Sequence, residues 1–286
     1  MEKRLIINAD DMGLTRGITD GIVLAHKEGL LTSTSLMVNQ SATEYAVELL
    51  RKTPTLDAGI HLNLCQGRPV LPASSVPSLV DESGFFLNPA KMGRKLTRWQ
   101  VSAKEIEAEF RAQIDAMLGY KLIPSHADSH HRYHMYPAAA IAFSRVLAAT
   151  GIRKARAPRK QHWPNDGFLG SSHAGPLYRR AAVTVYNTFL QSFLFRNLTL
   201  PDAGVAFAPQ FRGRLDLLPE AWTTTIQHMT AGTYEMWCHP GFAEPGFSET
   251  DRLCRQRELE IGILTSPTLR TVVTKAGVKL INFKEL

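Results

Sequence analysis

Short β-branched runs alternate with amphipathic stretches of helical period along almost the whole chain. Strand-like runs cover residues 4–8, 32–38, 57–64, 122–127, 153–157, 233–238 and the terminal VKLINF. Helical patterns cover 16–29, 42–53, 102–118, 137–150, 177–198, 219–231, 248–263 and 267–276. Strands separated by helices are joined by crossovers rather than hairpins, so they assemble as a parallel sheet with helices on its faces. The expectation is an α/β fold. The length of 286 residues suits one large domain or two small ones. No linker and no fixed-period repeat divides it, so a single domain is expected. Two stretches interrupt the alternation. Residues 67–89 are rich in turn formers, and 158–217 is too long and irregular for a simple βα unit, reading as an insertion or lid over the mouth of the sheet.

Composition narrows the class. With 44% hydrophobic and 21% charged residues the chain is neither disordered nor low-complexity. Its 3 cysteines form no C-x-x-C pair, which argues against a disulfide framework or structural zinc and for a reducing, cytoplasmic setting. The opening MEKRLIINADDMG has too short an apolar run for a signal-peptide core, and no window has the apolar length of a membrane span. The formal charge of +7 would attract polyanions, but the basic residues are spread out, with modest clusters at 153–160 and 179–180. No nucleic-acid-binding motif accompanies them. Nucleic acid is therefore not expected as a partner, and the basic surface leaves room for an anionic lipid or sugar phosphate.

Chemistry concentrates where strands end. The first run closes on Asp10-Asp11. Adjacent carboxylates repel and need a metal, another cation or a shared proton, although one of them could simply cap a helix. His61 stands in the apolar run GIHLN, where a lone histidine suits a core position as well as a ligand. Residues 126–134 carry His126, His130, His131 and His134. His126 and His130, and His130 and His134, are four apart, which brings imidazoles within reach of one ion; a surface histidine run is the plainer reading. Asp128 is placed to fix a histidine tautomer. His239 precedes Pro240, which holds it extended at another strand end. Arg156 stands at the end of the fifth strand-like run. Each feature alone is weak. Together, Asp10, Asp11, His61, His126, His130, Arg156 and His239 fall at the carboxyl ends of different strands, the rim where active sites of α/β barrels lie. One carboxylate with two histidines is a ligand set for a catalytic divalent ion. A free aspartate beside it and an imidazole across the pocket supply a base and an acid. These parts suit metal-assisted hydrolysis of an amide or ester.

The stretches RLIINADDMGLTRGITDGI, LLTSTSLMVN, GIHLNL, SHADSHHRYHMYP, EMWCHPGF and LEIGILTSPTLR resemble, in order, the YdjC-like carbohydrate deacetylases. These include chitooligosaccharide deacetylases and the hopanoid-biosynthesis-associated deacetylase-like proteins. The resemblance implies an irregular (β/α), TIM-like barrel that removes the acetyl group of an N-acetylated sugar. It implies a divalent metal on Asp11, His61 and His130, with Asp10 as base and His239 as acid or oxyanion partner. His126 and Arg156 would line the pocket or orient the base. Magnesium is often assigned in that family, whereas two imidazoles suit zinc or another transition ion better. Met12 and Arg132 depart from the family pattern, which often has Phe and a third His there, so Arg132 is given no metal role. RAPR at 156–159 and VPSLVDESGFF at 76–86 lean towards the hopanoid-associated members.

That lean would suit a lipid-linked substrate. The aromatic segment 177–198, flanked by basic residues, has the character of a helix at a membrane surface, although packing on the barrel or in a homodimer contact explains it more simply. Two other functions compete: a glycoside hydrolase, which needs two carboxylates about 5–10 Å apart across the sugar, and a non-enzymatic metal- or polyanion-binding protein.

Overall fold

The computed structural model describes residues 2–158, 177–207, 214–247, 251 and 253–286. Among the described residues, seven strands form one parallel sheet: β1 (Lys3–Met12), β2 (Ser33–Leu36), β3 (Asp57–Leu62), β4 (Ala127–Ser129), β5 (Ala203–Ala206), β6 (Gly232–Cys238) and β7 (Val278–Ile281). Their order is β4-β3-β2-β1-β6-β5. β7 pairs the first half of β1, and β2 pairs its second half. The sheet curls and stays open between β4 and β5. Isolated bridges at Ala127–Ala155 and Lys154–Thr199 continue from the β4 edge. The strand expected at 153–157 is reduced to these bridges.

The helices are α1 (Arg16–Lys27), α2 (Thr43–Lys52), α3 (Pro89–Thr97), α4 (Ala103–Gly119), α5 (Pro137–Thr150), α6 (Leu177–Phe189), α7 (Leu218–Gln227), α8 (Cys254–Leu264) and α9 (Pro267–Lys275). Their ends follow local chemistry. Thr15 and Ser102 accept the N–H groups of Ile18 and Glu105 and so cap α1 and α4. Pro137 opens α5, and Gly151, left-handed at φ 75°, closes it. α3 was not expected: its Asn88 cap and leading Pro89 are a start signal, but the run behind them is short and basic.

Two further differences have local causes. The expected strand 122–127 becomes regular only at Ala127, because Pro124 donates no ladder hydrogen bond; pairing still reaches back through Ser125 N–H to the Ala58 carbonyl and Ile60 N–H to that of His126. β5 lies inside the expected insertion 158–217. It hides in the bland run AGVA because a Cβ on Gly204 would sit 2.4 Å from the Trp237 ring, so only glycine lets the strands approach. Residues 159–176 and 208–213 of that insertion, and 248–250 and 252 of the expected 248–263 helix, lie outside the described residues.

The core is continuous from the strands to the helices, with Phe110, Phe143, Phe195 and Trp222 fully covered. Phe195, just beyond α6, packs on Phe143 of α5, while Val185, Phe189 and Phe193 face solvent. The aromatic segment thus packs on the sheet's helices along one side. Among the described residues no helix is long and apolar enough to cross a membrane.

Candidate metal centre and catalytic site

The carboxyl ends of β1, β3, β4 and β6 meet at one rim. There Asp11 takes a left-handed backbone, φ 70°, and the β1–β2 register shifts between Ala9 and Met12. Such a conformation costs a non-glycine residue about 1–3 kcal/mol, and here it turns two adjacent carboxylates towards different partners.

Asp11 Oδ2 accepts a hydrogen bond from Arg257 at 2.8 Å. Its Oδ1 lies 2.9 Å from His130 Nδ1 and 3.5 Å from His61 Nε2. The His130 approach is close but not aligned for a hydrogen bond, so Asp11 Oδ1 and His61 Nε2 are both buried without a hydrogen-bond partner. One ligand atom from each of Asp11, His61 and His130 lies within 4.8 Å of the others. His61 Nδ1 donates to Asp128 Oδ1 at 2.7 Å, which fixes the ring with Nε2 facing Asp11. Burial alone would raise the Asp11 carboxyl, but the charges of His130 and Arg257 hold it well below the usual range. Burial would likewise lower the His61 imidazole; the carboxylates of Asp128 and Asp10 outweigh it and push it up to about 10.

Asp10 faces the other way. Its two oxygens accept Arg156 Nη1 and Nη2 at 2.9 and 2.6 Å. Asn8 donates to Oδ1 at 3.1 Å. Arg156 also reaches Asp128 Oδ2 at 2.6 Å and Glu235 Oε1 at 2.9 Å, and lies over the Trp237 ring. Burial pushes the Glu235 carboxyl up to about 7 despite that guanidinium. His239 Nε2 is 3.9 Å from Asp10 Oδ2 and stays partly exposed. Its backbone N–H is held by Glu260 at 2.6 Å and its carbonyl by Arg257 at 3.3 Å.

The structure therefore brings together Asp10, Asp11, His61, His130, Arg156 and His239. His126 corrects the expectation of a pocket-lining histidine: it is fully buried, stacked 3.6 Å from Phe283, and hydrogen-bonded to Ser35 and Ser125. A Cβ at Gly59 would overlap its ring at 2.4 Å, so it is wedged beneath the site. Burial drives its pKa down to about 4 and keeps it neutral. Arg156 also has no exposed surface, so it orients Asp10 rather than lining the pocket. His134 is a core residue on Ser129 and Phe143. Sequence reasoning missed Arg257, Glu235 and Glu260. The signal was there in part: Gln256, Arg257 and Glu260 put polar groups on the buried side of α8, where a packing helix ordinarily places apolar ones.

The profile of the YdjC-like protein family matches residues 4–275. A carbohydrate deacetylase of Geobacillus stearothermophilus is 31% identical over 100% of this chain and 98% of its own length. A carbohydrate deacetylase of Clostridium beijerinckii is 29% identical over 99% of this chain and 100% of its own. The crystal structure of an Enterococcus faecalis protein described as cleaving cellobiose phosphate superposes with a TM-score of 0.79 at 27% identity, covering 100% of this chain and 99% of that one. On the extent of these matches, the chain belongs to the YdjC-like protein family.

Proposed function

We propose that this protein is a metal-dependent hydrolase that removes the N-acetyl group of an amino sugar and releases acetate. The observation that carries the reading is that buried Asp11 Oδ1 and His61 Nε2 face each other beside His130, neither of them in a hydrogen bond. Buried polar atoms without a hydrogen-bond partner are costly, and a cation between them, taking the place of the proton on His61, would satisfy both. A carboxylate and two imidazoles fit a divalent cation, and the imidazoles favour zinc or another transition ion over magnesium. When bound, such an ion polarises the acetamide carbonyl and acidifies water.

The remaining work falls to the chain's own side chains. Arg156 grips both oxygens of Asp10 and fixes the direction in which that carboxylate accepts a proton from the attacking water. His239 Nε2, held at the rim through its backbone by Glu260 and Arg257, donates a proton to the departing amine as the C–N bond breaks. Water's oxygen ends on acetate; one of its protons passes to Asp10 and the other leaves with the acetic acid, the amine takes its proton from His239, and return of the Asp10 proton to His239 through solvent restores both groups. The names of the relatives support this reaction class. The bridges beyond β4 support the irregular (β/α) barrel that would place these residues at its upper rim.

A second reading, glycosidic cleavage, draws on the description of the Enterococcus protein. It is disfavoured because Asp10 and Asp11 are each tied to an arginine rather than set across a sugar. The test is acetate and reducing-end analysis of the metal-analysed protein on N-acetylhexosamines, chitooligosaccharides and glycolipids. Acetate release that requires the divalent ion is expected. New reducing ends without acetate would overturn the proposal.

A further inference from the structure

Cys65 has no part in that reaction. It lies just beyond β3, buried, and lines a cavity of about 230 Å³ with Gln66, Phe85, Asn88 and Lys91. Its Sγ and one ring nitrogen each of His130 and His131 lie within 4.8 Å of one another. This convergence depends on an uncommon backbone. His131 and Arg132 are consecutive left-handed residues, φ 54° and 56°, and neither is glycine. That turn sets the His131 ring edge-on to His130, with centroids 4.5 Å apart, where neighbouring side chains would otherwise diverge.

The two donor sets differ in character. Asp11, His61 and His130 offer oxygen and nitrogen. Cys65, His130 and His131 offer sulfur and nitrogen, a soft set. Ligands around a tetrahedral ion of this kind stand roughly 3–4 Å apart, within a small side-chain adjustment of the present spacing. We propose that Cys65, His130 and His131 form a second metal position, selective for thiophilic divalent ions, which competes with the Asp11–His61 centre for His130. On binding, the thiol gives its proton to solvent and a sulfur–metal bond forms. A neutral imidazole has one lone pair, so His130 serves one ion at a time. Cadmium or excess zinc bound at Cys65 therefore strips a ligand from the catalytic centre and inhibits, whereas magnesium does not. The inhibition rests on the deacetylase reading; the binding does not.

The test titrates Co²⁺ into the full-length protein and follows the near-ultraviolet thiolate-to-cobalt charge-transfer band. The band is expected in the wild type and in Asp11→Ala, and is lost in Cys65→Ser. His131→Asn, which tolerates the left-handed backbone and keeps the fold, should weaken it by about 10-fold or more in Co²⁺ affinity. Cd²⁺ inhibition of acetate release, scaled to each variant's own uninhibited rate, should weaken by a similar factor in both. A wild type without the band, or a band that survives Cys65→Ser, overturns the second position. Equal Cd²⁺ inhibition in wild type and Cys65→Ser overturns the competition. A band without acetate release from any sugar sinks the deacetylase reading instead and leaves the second position standing.

Discussion

Replacing Arg156 with lysine tests the buried frame behind Asp10. The guanidinium makes contacts of 2.6–2.9 Å to Asp10, Asp128 and Glu235 through Nε, Nη1 and Nη2. Lysine keeps the charge but loses the planar fork, and a single ammonium cannot meet three carboxylates that approach from separate directions. A hydrogen bond to a charged partner contributes about 1.5–3 kcal/mol, so losing two costs about 3–6 kcal/mol. No solvent screening softens this, because Arg156, Asp128 and Glu235 are fully buried. Urea unfolding should show a lower midpoint at unchanged slope. If Asp10 is the base as proposed, acetate release should fall by about 100-fold or more in kcat with little change in KM, since that carboxylate is misdirected while the rim is intact. Arg156→Lys with stability within about 0.5 kcal/mol of wild type and full kcat would refute the frame.

Other outcomes follow from the same contacts. Asp128→Asn replaces the acceptor of Arg156 and Ser35 with a donor and loosens His61; equilibrium dialysis should show metal affinity about 10–100-fold weaker. Asp11→Ala should abolish metal binding by the same assay, whereas Asp10→Asn should retain the metal yet lose about 10²–10⁴ in turnover; full activity in Asp10→Asn contradicts its assignment as base. His126 gives a pH signature. Burial holds its folded pKa at about 4, below the ordinary 6.5, so the stability it confers is present above pH 6.5 and lost as pH falls towards 4. That loss is about 3 kcal/mol, and His126→Leu should remove this part of the acid-side slope in unfolding measured between about pH 7 and 4.

The sequence made the α/β alternation legible because capping residues and periodicity are local. Thr15, Ser102 and Pro137 mark helix starts that the structure keeps. β5 was not legible, because AGVA carries no β-branched pattern beyond one valine and its glycine answers to a ring on another strand. At the site, residue type located the histidines but could not rank them. His126 and His130 are four residues apart and chemically identical, yet one is stacked in the core and the other faces Asp11. Only the short strand β4 separates them, and it carries His130 out to the rim. Arg257 and Glu235 were missed because their partners stand far along the chain: Arg257 meets Asp11 across 246 residues, a distance over which no local pattern carries information.

Charge balance explains why these groups tolerate one another. Arg156 is paired with Asp10, Asp128 and Glu235, and Arg257 with Asp11 and Asp251, so five carboxylates share two guanidiniums. Like charges this close are stable only if positive charge is supplied or protons are taken up. The chain shows the demand in two places. Glu235 has its carboxyl pushed up to about 7, and His61 has its imidazole pushed up to about 10. Both shifts draw a proton into the cluster. On the proposed reading, a divalent cation between Asp11 and His61 would meet the same demand without a proton and would leave Asp10, on the far side of the bulge, to take one from water.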